Sequence, residues 1–134
     1  MSNNTAKKPD KLNNTFPADA SCVSGFITKI WNENKQEEIS DYLHERFKDY
    51  SMPHCYFQNK EGLLSYLSEM ASRVSHHTRI LEISAVDDFV LCKIRINAVS
   101  LPGIDGMAAA HEIIDGYRLF QMQENKIIAH WEML

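Results

Sequence analysis

Two-residue alternation dominates the second half of this chain and confines it to antiparallel strands. From Phe89 to Val99, Val90, Cys92, Ile94 and Ile96 occupy one face, and Lys93, Arg95 and Asn97 occupy the other. The closing segment Leu119–Glu132 repeats the pattern as strand, tight turn and strand, ending in His130, Trp131 and Glu132. The turn falls at Glu124-Asn125, where a two-residue hairpin tip needs positive φ, and asparagine tolerates it best after glycine. Thr78–Val86, a turn at Asp87-Asp88, a loop over Leu101–Gly106, a long strand Ala108–Met122 with room for a bulge, and Lys126–Met133 complete the strand set.

The first half is helical. Val23, Phe26, Ile27, Ile30 and Trp31 fall on one stripe past Pro17, with Gly25 inside it as a point of close packing. A second helix is expected from Asn34, with Glu37 three residues on, burying Ile39, Tyr42, Leu43 and Phe47. Asp49–Pro53 reads as a short strand stopped by proline. A third helix follows Asn59 and presents Leu63, Leu67, Met70, Ala71 and Val74. Helices followed by a meandering sheet predict an α+β fold with helices on one face of an antiparallel sheet. Residues 1–16, rich in Asn, Lys, Ser and Thr, are expected as a flexible tail, and 17–134 as one domain.

Composition narrows the function. A net charge of −4 over 134 residues argues against a nucleic-acid partner, and no apolar run is long enough for a membrane span. Cys22, Cys55 and Cys92, odd in number and without a CxxC pair, read as buried free thiols of a cytoplasmic protein. The six histidines show no metal-ligand spacing with the cysteines, and there is no P-loop or GxGxxG, so no metal or cofactor is expected.

The element order over residues 17–134 resembles the nuclear transport factor 2-like superfamily, and within it the SnoaL-like polyketide cyclase group. The local match is Glu124-Asn125-Lys126-Ile127 followed by Glu132, where relatives carry an acidic residue, glycine, Lys-Ile and then a further acid. The resemblance implies a cone-shaped curved sheet with the N-terminal helices packed on its concave face, an apolar pocket on that face and a homodimer through the sheet. It also implies catalytic roles. The acid at the Glu132 position is an aspartate that acts as general acid/base in a ring-closing aldol step, and a histidine often stands where this chain has Arg118. Arginine there installs a permanent cation that favours an ionised partner. Two other members offer weaker matches. Limonene epoxide hydrolases place an arginine and an aspartate two apart, where this chain has Arg95 and Asn97. Ketosteroid isomerases place a base aspartate before a proline, where Met52 stands.

Glu132 and Arg118 are therefore the candidate catalytic pair, with His130, Arg95, Trp31, Phe26 and Tyr56 as candidate ligand contacts. Two readings remain open. One is a domain that binds a small apolar organic molecule and performs cyclisation, isomerisation or lyase chemistry on a carbonyl group. The other is a non-catalytic ligand-binding or dimerisation module. The strand pattern alone would make the Trp131 face the core and leave Glu132 and His130 in water.

Overall fold

The computed structural model describes residues 10–101 and 110–134. The expected loop Leu101–Gly106 and the start of the expected strand at Ala108 fall mainly outside them, as do residues 1–9 of the expected tail. Helix α1 runs Asp10–Gly25, beginning ahead of Pro17, and continues as a π-helical run over Phe26–Asn32. The wider π turn carries i→i+5 bonds, such as Glu33 N–H donating to the Thr28 carbonyl. That spacing puts Phe26, Ile27, Ile30 and Trp31 together on the buried side. Gly25 is needed at the junction, because a Cβ there would lie 2.5 Å from the Tyr42 ring.

The second helix is not an α-helix. Asn34 takes φ 55° and closes the π-helical run instead of capping a new one. A short 3-10 turn covers Gln36–Asp41, and the chain then extends as β1, Leu43–Asp49. Leu43 and Phe47 are four apart, a spacing that satisfies helical and strand periods alike, so the apolar pattern could not separate them. The expected strand Asp49–Pro53 thus lies earlier, and 50–53 forms turns. Helix α2, Lys60–Ala71, starts as expected at Asn59, whose side-chain oxygen accepts from Gly62 N–H.

Strands β2 (Val74–Val86), β3 (Phe89–Ser100), β4 (His111–Gln123) and β5 (Lys126–Met133) form an antiparallel meander. The order is β1-β5-β4-β3-β2, and β1 lies parallel to β5. The sheet is therefore mixed at one edge. The helices cover the face carrying Val90, Cys92, Ile94, Phe120 and Ile127, all at 0% exposure, giving an α+β fold. The hairpin tip is as expected, with Glu124 and Asn125 at φ 55° and 64°.

One irregularity decides which groups point inward. Gln121 pairs with Ala129 and Met122 with Ile127, so Ile128 is an extra residue on β5. This bulge lets Ile127, His130 and Glu132 share the helix-covered face, opposite Met122, Phe120 and Arg118. Trp131 faces outward and stacks on Tyr50 at 5.2 Å between ring centroids.

Candidate active site

The register of β4 on β5 sets Arg118 beside Glu132 and Phe120 beside His130. Arg118 is fully buried. Its Nη2 lies 3.0 Å from Glu132 Oε2, and Glu132 keeps a quarter of its side chain exposed. The Trp31 ring covers the guanidinium at 3.9 Å, a cation–π contact strengthened by the absence of water. Among the described residues, Nε, Nη1 and Nη2 all lack a partner with hydrogen-bond geometry, so the 3.0 Å contact is an ion pair rather than an aligned hydrogen bond. Burial pulls the Arg118 pKa below its ordinary value, and the Glu132 charge works against that pull.

A second pair sits next to the first. The parallel register sets Asp49 opposite His130, and Asp49 Oδ2 lies 3.0 Å from His130 Nδ1 with both side chains only 4% exposed. The other Asp49 oxygen accepts from Ser51 N–H at 3.0 Å. His130 Nε2 is buried and has no hydrogen-bond partner among the described residues. Ser51 Oγ ties the turn to β5 by accepting from Glu132 N–H.

Asp49, His130 and Glu132, the last backed from behind by Arg118, line a recess of about 20 Å³ together with Trp31, Ser51, Met52, Pro53 and Tyr66. That is room for about one water. Tyr66 and Pro53 also wall a largely apolar pocket of about 400 Å³ with Cys55, Tyr56, Met70 and Val74, which Glu69 and Arg73 also line. Trp31 separates the recess from a pocket of about 230 Å³ that includes His76 and Leu67. Burial, and then the Glu132 charge, push the Tyr66 phenol upward, so it remains an O–H donor at neutral pH. The His76 imidazole is held low by burial, then by Arg118.

Four of the seven candidates converge: Glu132, Arg118, His130 and Trp31. Tyr56 lies in the neighbouring pocket, edge-on to Tyr66 at 5.4 Å. Phe26 packs in the core against Phe120 at 6.0 Å. Arg95 is on the opposite face of the sheet, paired with Asp115 at 2.7 Å. The thiols also differ from expectation: Cys92 is buried, Cys22 half-buried and Cys55 exposed. Asp49, Ser51, Tyr66 and His76 were not foreseen as neighbours of the site. Asp49 had a local signal, an aspartate two residues before serine, which closes a turn on its own side chain. Among the described residues, no group of three His, Cys, Asp or Glu side chains is placed to hold a metal ion.

Solved structures share this architecture. A protein from Shewanella denitrificans assigned as a SnoaL-like polyketide cyclase aligns with a TM-score of 0.72 at 14% identity, over 87% of this chain and 90% of that one. The fold is the nuclear transport factor 2-like fold. A protein from Bacillus cereus assigned as a polyketide cyclase aligns at 0.71 and 20% identity, over 87% and 73% of the two chains. An epoxide hydrolase of M. tuberculosis, described as LEH-like, aligns at 0.69 and 13% identity, over 86% and 80%. At the level of sequence, no family model and no curated protein matches the chain. Among the described residues, no helix is long and apolar enough to cross a membrane.

Proposed function

We propose that this SnoaL-like domain binds a small apolar carbonyl compound and carries out acid/base chemistry on it, of cyclisation, isomerisation or lyase type, without metal or nucleotide. The observation that carries the reading is that Asp49, His130 and Glu132, the last paired with Arg118 behind it, line one recess beside a largely apolar pocket. Glu132 is the partly exposed member of its pair, with a quarter of its side chain open beside the recess. Arg118 lies behind it under Trp31 and works through it. The body of the ligand would occupy the pocket walled by Tyr56, Tyr66 and Met70, with its reacting end displacing whatever fills the recess. The solved structures assigned as cyclases support this class of substrate by fold alone.

The protein would work in the cytoplasm, consistent with three free cysteines. It would pair as a homodimer through the outer sheet face, where Tyr50, Leu91, Ile113, Tyr117 and Met133 are exposed. A thermal-shift screen of a metabolite panel tests the central reading. Carbonyl compounds should raise the melting temperature, and Glu132→Gln or His130→Asn should lower turnover of the hit. A panel with no binder, or turnover unchanged in both variants, would overturn it.

A further inference from the structure

We propose that His130, oriented by Asp49, is the proton acceptor of this site, and that Glu132 with Arg118 supplies fixed charge. The inference rests on the acid/base reading above and assigns its base.

Hydrogen-bond capacity selects the tautomer of His130. Asp49 presents one oxygen to Ser51 N–H at 3.0 Å and the other to His130 Nδ1 at 3.0 Å. An ionised carboxylate only accepts, so Nδ1 must carry the proton. In the neutral ring that leaves Nε2 with its lone pair, the form a general base requires. Nε2 is buried, has no hydrogen-bond partner among the described residues and belongs to a ring that lines the recess. His130 is 3% exposed, so bulk solvent does not satisfy it. A bound molecule with an acidic hydrogen would.

Glu132 is less suited to the task. Its Oε2 is the counter-charge of a guanidinium at 0% exposure, and protonating it would leave that cation unbalanced. His130 has the opposite arrangement, because the imidazolium formed on proton uptake is balanced at once by Asp49. The other groups around the ring are Arg118 from β4, Glu132 from β5, Tyr66 from α2 and Trp31 from the π-helical run.

The step is balanced within the substrate. A C–H bond beside the carbonyl breaks, its proton passes to Nε2, and its electron pair enters the carbonyl system as an enolate. The imidazolium then returns the proton to another position of the same molecule, with no oxidant or reductant.

The test uses the whole chain and nitroethane, a small carbon acid, with deuterium uptake at its methylene followed by proton NMR in D2O. Wild type should accelerate exchange over buffer. His130→Asn keeps an N–H toward Asp49 but removes Nε2, and should lower the accelerated rate at least about tenfold, below the ~10²–10⁴-fold of a positioned base. Glu132→Gln, where circular dichroism shows it folded, should retain more of the rate. Nitrogen-15 NMR of wild type, assigned by the signal missing in His130→Asn, should show Nε2 unprotonated, and Asp49→Asn should shift it to the Nε2–H form. An Nε2–H tautomer in wild type, no acceleration by wild type, or full activity in His130→Asn would each overturn the assignment. Loss in Glu132→Gln with none in His130→Asn would move the base to Glu132 and leave the proposed function standing. Failure of that function would show instead as a metabolite panel without a binder.

Discussion

Removing the acid of the buried ion pair should harm the protein more than removing the base, although the base is the larger and deeper side chain. Glu132→Gln leaves a guanidinium of 0% exposure without its ion-pair partner, and only the more distant Asp49 charge still acts on it. Losing one partner of a buried pair in this way costs about 3–5 kcal/mol. A Coulomb estimate agrees, since two unit charges about 4 Å apart at an effective dielectric near 20 attract by about 4 kcal/mol. Arg118→Met is different. The carboxylate it strands is already a quarter exposed and can rehydrate. The cation–π contact with Trp31 is lost, about 2 kcal/mol in a dry setting. Against that, three nitrogens without hydrogen bonds disappear, each a desolvation cost of about 1–3 kcal/mol. The unbranched methionine also fills part of the space. Arg118→Met should therefore fall within about 1 kcal/mol of wild type. Urea unfolding at neutral pH measures both, provided the slope m is unchanged. The double variant should recover most of the loss in Glu132→Gln, a coupling of about 3 kcal/mol. Arg118→Met costing as much as Glu132→Gln, or a coupling under about 0.5 kcal/mol, would refute the reasoning.

Three further outcomes are expected. Burial first, then Arg118 and His77, hold the His76 imidazole below its usual 6.5, so between its folded value and 6.5 the unfolded chain binds more protons. This contribution to stability is therefore full above 6.5 and lost as pH falls through that window. His76→Gln should flatten that part of the urea-midpoint curve, and a curve parallel to wild type would count against it. Native protein should expose one fast thiol to Ellman's reagent, Cys55, because burial pushes Cys22 to about 11 and Cys92 to about 12. Rapid reaction at two or more would contradict the packing. Gly62→Ala should cost about 3 kcal/mol or more in a chemical melt, since its Cβ would lie 1.7 Å from the Phe57 carbonyl oxygen, a main-chain atom that cannot swing aside. A loss near 1 kcal/mol would mean that the turn before α2 yields.

Long periodic segments and turn chemistry were legible without coordinates. β3 alternates through Ile94, Asn59 caps α2, and Asn125 takes the positive φ expected of it. What stayed hidden was long-range. Asp49 meets His130 across 81 residues of chain, through a parallel pairing that no local period records. Arg95 has the right spacing for a catalytic strand residue, yet Ile94 and Ile96 claim the covered face and turn it toward Asp115. Phe26 fell on the correct helical stripe, but a stripe does not separate core from pocket wall. Its contact with Phe120 does.

The closing strand shows how one residue can reverse a sound inference. Ile127, Ala129, Trp131 and Met133 form an unbroken apolar set at period two, so strict alternation puts that set in the core and Glu132 in water. The extra residue at Ile128 breaks the parity, and Ile127 joins His130 and Glu132 on the covered face while Trp131 turns outward. An extra residue leaves no mark in an apolar run, because Ile128 suits either side. The same bulge that hides the site from a sequence reading creates it: an acid and an imidazole enter a face whose other strands supply Phe120, Met122 and Cys92. Arg118, Asp49 and His130 buried together on a largely apolar face, with Glu132 at its edge, conflict with packing alone, and such conflicts are where function is expected to reside.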